Sequence, residues 1–396
     1  MKNQLLYTPD GVRDIYQTEY EKKLQLEQDL SSVLKQYGYH PIQTPSFEFF
    51  DVFNKEFSST SSKNLYKFFD HEGHTLVLRP DITPSIARCA ATYFNLSETP
   101  LRFCYNGNTF INNFSYQGRL HERTQIGAEL IGDQSVDADA EMIALSIHLL
   151  RASGLDHFQI SIGHVDILNG LLEQADLGDS IESEVVELLA NQNFYGVESL
   201  LSKLNLNEHI VALFSMLKNG TISKNELSVA KQYSEDFPKI FHALERLEEL
   251  DNLLDYYEVK SCINYDLAAR SALDYYTGIV FSGYTYGSGE PIVNGGRYDH
   301  LLGYFDSDAP ATGFAVIVDQ ILSALNRQKK KIPLDNKIIW LLYTASKKKE
   351  AIREAQLLRK NGRFIEMIYI EDAKTLAYFE SEARIKGYDY ITEFVE

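Results

Sequence analysis

Apolar residues at Leu26, Leu30, Val33, Leu34 and Tyr37 recur at spacings of four, three, one and three. That pattern draws one apolar stripe and predicts a helix over residues 20–38, with Gly38 placed to end it. The YHPIQTP stretch that follows is extended, because Pro41 and Pro45 forbid helix. A hairpin is predicted over 66–69 and 75–78, around a turn containing Gly73, and then a helix over 83–95 with Pro84 in its first turn. Residues 100–132 read as two strands joined by a loop, Arg102 leading the first and Gln125 and Glu129 lying on the second. A helix with acids at its start is predicted over 137–153, and an alternating strand over 158–162. From about 168 to 257 the pattern is almost wholly helical and reads as an inserted subdomain. Strands resume at 263–267, 276–284 and 292–294, and a helix is predicted over 313–327.

The segment NRQKKKIPLDN, residues 326–336, is a polar linker with one proline. Beyond it, strand, helix, strand, helix and strand alternate through IIWLLY, 347–361, FIEMIYI, 373–386 and DYITEFV. That order predicts a small α/β domain with a parallel sheet over 337–396. The expected division is therefore a core over 1–325, a helical insertion within it, the linker, and this C-terminal domain. No internal repeat or low-complexity tract breaks the pattern.

With 396 residues, 44% of them hydrophobic and 24% charged, the chain fits an ordinary globular protein of two or three domains. No apolar run of about 18 residues predicts a membrane span. The N-terminus lacks the apolar core of a signal peptide, so a cytoplasmic protein without membrane association is expected. The three cysteines, Cys89, Cys104 and Cys262, are far apart, which argues against a disulfide framework and a zinc site. A net charge of −18 opposes a nucleic-acid partner, which needs a cationic surface to displace counterions. Lys329 to Lys331 and Lys347 to Lys349 read as linker and solvated helix face. His71, His74 and His121 lack the spacing of a metal site, and the glycines of GSGEPIVNGG fit a hairpin turn better than a phosphate cradle.

Six short segments fall in an order that resembles the catalytic core of class II aminoacyl-tRNA synthetases, and specifically the histidyl-tRNA synthetase family. They are PDGVRD at 9–14, LRPDIT at 78–83, GRLHERTQIGAELIG at 118–132, LDYYTGIVF at 273–281, GGRYD at 295–299 and ATGFAV at 311–316. The likeness runs from about Thr8 to Leu325. It implies an α+β fold, an antiparallel sheet flanked by helices. It also implies a homodimeric core whose interface is built by the helix after Tyr20 and the strand ending at Pro45.

The departures from that family concern ATP. Where the family holds the α-phosphate with an arginine, this chain has Ile111. A second arginine, two residues before LDYY, is replaced by Ser271; Arg270 is adjacent, but neighbouring side chains on a strand face opposite ways. The arginine near the γ-phosphate is replaced by Gln320. Removing one preorganised charge-stabilising donor costs roughly 2.7–4 kcal/mol of transition-state energy. Such losses need not add, yet even a fraction of their sum cripples adenylate formation.

The positions that the resemblance places around bound histidine persist. Gln125 and Glu129 leave the same face of a strand and can accept hydrogen bonds from an ammonium group. Asp81 and Thr83 share a face if extended, Asp81 standing where the family has glutamate. Tyr275, Tyr276 and Tyr298 can wall an imidazole and bond its nitrogens. The ligand carboxylate loses its arginine at Ser271, leaving Arg119 and His121 as substitutes.

A histidine pocket without the ATP arginines, followed by a short C-terminal domain, is similar to a paralogous group, the regulatory subunits of ATP phosphoribosyltransferase. LRPDITPSIAR resembles that group's form of the loop. The resemblance implies a chain with no catalysis of its own and no cofactor. It implies a hetero-octamer with short-form catalytic subunits at the first step of histidine biosynthesis, with histidine as the feedback ligand and no tRNA partner. The 11 basic and 10 acidic side chains of residues 337–396 show no anticodon-binding bias. The alternatives are an active histidyl-tRNA synthetase, a tRNA sensor with a dead core, and a ligase; Ile111 opposes the first and last, and the charge opposes the second.

Overall fold

The computed structural model describes residues 6–53, 61–96, 99–112, 120–204, 206–269, 275–334, 338–371 and 373–395. The chain divides into two compact units, Met1–Lys331 and Ile332–Glu396.

In the first unit, α1 (Gln17–Gln36) buries the predicted stripe at Leu26, Leu30 and Leu34, and Gly38 follows it at a φ of +80°. A short β1 (His40–Pro41) leads to a small antiparallel sheet of β2 (Phe47–Phe49), β3 (Lys67–Phe69) and β4 (Thr75–Leu78), in the order β2-β4-β3. The turn between β3 and β4 uses Gly73 at φ +90°, a conformation that favours glycine. Next come α2 (Thr83–Tyr93) and the long hairpin of β5 (Leu101–Phe110) and β6 (Glu122–Ile131). That hairpin stays in register through ten pairs, from Leu101 opposite Ile131 to Phe110 opposite Glu122. Ser135 caps α3 (Val136–Ala152) by accepting from the Ala138 amide, and β7 (Phe158–His164) follows.

The helical stretch is α4 (Val165–Ala175), α5 (Asp179–Ala190), α6 (Phe194–Leu201), α7 (Glu208–Met216), α8 (Lys224–Tyr233) and α9 (Pro238–Tyr256). The chain then returns to the sheet with β8 (Ile263–Tyr265), β9 (Ile279–Thr285), β10 (Val293–Arg297) and β11 (Ala311–Ile317), before α10 (Val318–Arg327). Eight strands lie in the order β1-β5-β6-β11-β10-β9-β7-β8, parallel at the two outermost pairs and antiparallel between them. This is the α+β architecture expected.

Two expectations need correction. Residues 313–317 are strand, not helix; β11 is buried on both faces, so its apolar run carries no alternation. The strand expected from 276 begins at Ile279, which leaves Tyr275 and Tyr276 on the turn before it.

One buried carboxylate ties the helical stretch to the sheet. Asp139, in the first turn of α3, accepts from Arg297 Nε of β10 at 2.9 Å and from Arg246 Nη2 of α9 at 2.6 Å. Arg297 also donates to the carbonyl oxygens of Asp133 and Ser135 and to the Asp299 carboxylate.

In the second unit, β12 (Ile338–Tyr343), α11 (Lys348–Lys360), β13 (Phe364–Tyr369), α12 (Ala373–Lys386) and β14 (Asp389–Phe394) form a parallel sheet in the order β13-β12-β14. Trp340 and Leu342 pack on one side with Ile370 and Ala383, and Leu341 on the other with Ala351 and Ala355. Among the described residues no helix is long and apolar enough to cross a membrane.

Candidate functional site

The face of β6 that carries Arg123, Gln125 and Glu129 opens onto a cavity of about 570 Å³. Thr124, between them, points the other way, where its hydroxyl accepts from Lys23 of α1 at 2.6 Å and its amide donates to Asp319 of α10 at 2.7 Å. Strand alternation thus commits one set of side chains to the cavity and the other to packing under helices.

Glu129 lies at the cavity floor, 1% exposed. Its carboxylate accepts from the Thr83 hydroxyl at 2.7 Å and from the Tyr298 hydroxyl at 2.5 Å. Opposite it on β11 is Gly313, and a β-carbon there would stand 1.7 Å from Glu129 Oε2 and 2.7 Å from the Ala128 carbonyl oxygen. Glycine is therefore what lets the carboxylate lie across the neighbouring strand. Gly313→Ala is expected to push Glu129 off its hydroxyl partners and to destabilise the unit by about 1–3 kcal/mol, as overpacking does. Thermal denaturation checks it, and an unchanged midpoint refutes the close approach.

Asp81 precedes α2 and accepts from the Tyr275 hydroxyl at 2.9 Å and from the Thr83 amide at 3.3 Å. Asp81 and Thr83 do not share a strand face, since Ile82 is helical and Thr83 opens α2. A turn closed by the Asp81 carboxylate brings them together instead. The rings of Tyr275 and Tyr276 stand 5.0 Å apart, and Tyr298 meets Tyr275 edge-on at 5.8 Å. A β-carbon at Gly296 would come within 2.8 Å of the Tyr276 ring, so glycine makes room for that ring as well.

Burial, opposed by the hydroxyls of Tyr298 and Thr83, pushes the Glu129 carboxyl up to about 8. Burial also raises Asp81, against the hydrogen bond from Tyr275. Two carboxyls held up by desolvation favour a ligand that brings positive charge to them. Gln125 adds an acceptor, since its buried Oε1 has no partner among the described residues. Buried acceptors are normally satisfied, so an orphan facing a cavity marks where a ligand donor belongs.

All seven sequence-selected pocket residues, Asp81, Thr83, Gln125, Glu129, Tyr275, Tyr276 and Tyr298, line this one cavity, with Ile111 at its wall. Gln320, on α10, is not among the lining residues and lies 3.4 Å from Glu290. His121 is outside the lining too, and its Nδ1 is 2.7 Å from the Tyr66 hydroxyl. Ser271, Arg270 and Arg119 lie outside the described residues. Sequence reasoning missed Arg123, Asp266 and Glu290, which also line the cavity. The signal for Arg123 was available, since it stands two residues before Gln125 and so shares its face. Its guanidinium is 3.0 Å from Glu290 Oε2, and its Nε donates to the Leu120 carbonyl oxygen at 3.2 Å. Among the described residues no group of side chains is arranged to hold a metal ion.

Comparison with known proteins bears on the family and the fold. The family model described as histidyl-tRNA synthetase matches residues 11–321. An ATP phosphoribosyltransferase regulatory subunit from Bacillus licheniformis is 38% identical over 91% of this chain and 90% of its own length. One from Acetivibrio thermocellus is 37% identical over 91% of this chain and 86% of its own. Among solved structures, an ATP phosphoribosyltransferase regulatory subunit/histidyl-tRNA synthetase from Bacillus halodurans superposes with a TM-score of 0.84 at 30% identity, covering 98% of both chains.

Proposed function

The chain belongs to the histidyl-tRNA synthetase family, within its group of ATP phosphoribosyltransferase regulatory subunits, and from that we propose that it binds histidine in the β6 cavity and controls a separate catalytic chain. On this reading it is a non-catalytic, cytoplasmic subunit that switches on a short-form ATP phosphoribosyltransferase in a hetero-octamer around a homodimeric core, and relays feedback by histidine.

The observation that carries the reading is the charge of the cavity wall. Its described ionisable residues, tyrosines aside, are the acids Asp81, Glu129, Asp266 and Glu290 and the single cation Arg123, which is already paired with Glu290. A triphosphate entering such a wall meets like charge, whereas an ammonium or a protonated imidazole meets acceptors. Ile111, where the family resemblance calls for a phosphate-holding arginine, supports the same conclusion.

Control of the partner requires that histidine bind its active and inhibited arrangements with different affinity. A coupling of about 1–3 kcal/mol is ordinary, and it acts reciprocally on ligands of the catalytic chain. The test is reconstitution of this chain with a short-form catalytic subunit. ATP phosphoribosyltransferase activity is expected only with both chains present and is expected to fall on adding histidine, with no ATP–pyrophosphate exchange by this chain alone. Histidine-dependent pyrophosphate exchange at synthetase-like rates would overturn the proposal.

A further inference from the structure

The ladder between β6 and β11 ends at Gln125, which stands opposite Ile317. One residue further along, the chain has turned from β11 into α10, and a side chain makes the rung instead: Asp319 Oδ2 accepts from the Thr124 amide at 2.7 Å. Lys23 of α1 secures that substitute. Its Nζ donates to Asp319 Oδ1 at 3.2 Å and to Thr124 Oγ1 at 2.6 Å, and Thr124 Oγ1 in turn donates to Asn108 Oδ1 of β5 at 2.9 Å. The Lys23 and Asp319 side chains are 11% and 8% exposed, so water and salt screen their attraction little. Thr124 is thereby tied to α1, α10 and β5 at one point.

The neighbours of Thr124 face the opposite way. Arg123 and Gln125 line the cavity, and Gln125 carries the buried Oε1 that has no partner among the described residues. A strand that shifts or twists at Thr124 carries both neighbours with it, because side chains on the two faces alternate along one backbone. Glu129 lies within the β11 ladder, opposite Gly313, whereas Gln125 stands at its end, where the backbone holds the strand less firmly.

We infer that Lys23 is a positioning residue for the cavity: acting from the far side of β6 through Thr124 and Asp319, it holds the Gln125 amide where a ligand donor meets it. This rests on the proposed reading of the cavity as the histidine site. It makes α1 part of the binding apparatus, although no residue of that helix lines the cavity.

Titration calorimetry with L-histidine on the full-length chain, run well below each variant's melting midpoint, tests it. Lys23→Met is expected to raise the Kd about tenfold, the worth of one hydrogen bond to a charged ligand group. Leu26→Ala removes a buried side chain from the same helix without touching Lys23, Thr124 or Asp319. It is expected to lower the melting midpoint and leave the Kd at the parental value, which separates positioning from helix packing. A Kd unchanged by Lys23→Met, or raised as much by Leu26→Ala, overturns the inference and leaves the histidine site standing. Thr124→Val serves where Lys23→Met does not fold. It deletes the hydroxyl that Lys23 holds, keeps the amide rung, and is expected to raise the Kd about threefold; an unchanged Kd there counts against the inference in the same way. In a Gln125→Ala background the effect of Lys23→Met is expected to shrink below about twofold, because the group it positions is gone. A full loss in that background means that Lys23 acts elsewhere, and the inference fails. Failure of the parent chain to bind histidine overturns the reading of the site and this inference with it.

Discussion

Glu129→Gln is expected to fold as the parent does and to lose histidine affinity by about a hundredfold. A carboxyl whose pKa stands at about 8 is largely protonated at neutral pH in the empty cavity. Glutamine has nearly the shape and the neutrality of that state, so one of the Thr83 and Tyr298 hydroxyls keeps an oxygen to donate to while the other can accept from the amide NH2. What glutamine cannot do is ionise when a cationic ligand arrives. Removing one partner of a buried, hydrogen-bonded charge pair costs about 2–5 kcal/mol, and about 2.8 kcal/mol, well inside that range, gives the factor predicted.

The same carboxyl sets a pH dependence for the parent. Ligand binding to ionised Glu129 must expel its proton below pH 8, so histidine affinity is expected to fall as pH drops from about 8 toward 6, and to fall less in the glutamine variant. Stability changes in the opposite sense. Between the ordinary carboxyl value and about 8, the folded state binds a proton that the unfolded state has released. Parent stability therefore declines as pH rises through that window, by up to about 1.4 kcal/mol per pH unit. The variant lacks this decline, and its advantage is expected to grow to pH 8 and then level off. Calorimetry and denaturant melts across pH 5–9 check both; a variant with parental affinity at pH 7 would remove Glu129 from the site.

Asp139→Ala is expected to destabilise the first unit by about 3–5 kcal/mol. The substitution leaves Arg297, 3% exposed, without its main carboxylate and frees Arg246 of its partner at the same point. Breaking a buried ion pair by removing one partner has that magnitude because the surviving charge stays buried. It also deletes an acid from the first turn of α3, where the helix dipole favours negative charge. Equilibrium denaturation in urea measures the loss, and a change below about 1 kcal/mol would mean that the arginines find other acceptors. Arg297 belongs to the GGRYD segment, so part of that motif serves packing while its neighbour Tyr298 serves the cavity.

Most elements were legible because their periodicity is undisturbed by burial. The stripe of α1 and the turn glycine Gly73 are examples. Residues 313–317 misled for a physical reason. GFAVI is covered on both faces, and a short, fully apolar run cannot be assigned to helix or strand by period. The pocket residues were legible through family resemblance, and strand spacing alone would have paired Gln125 with Glu129. The reason for Gly313 was not legible, since its demand arises from Glu129 on a strand far away in the chain. Nor was the engagement of Arg123 by Glu290, which depends on how the turn between β9 and β10 lies over β6.

Arg297 and Tyr298 are consecutive, and they serve opposite layers of the sheet. Removing one residue just upstream of them would exchange their sides. The guanidinium would then swing toward the β6 cavity, and the phenol would be left under α3 facing Asp139. The frame of this segment is thus held from both sides at once. A single-residue insertion or deletion there disturbs both layers at once.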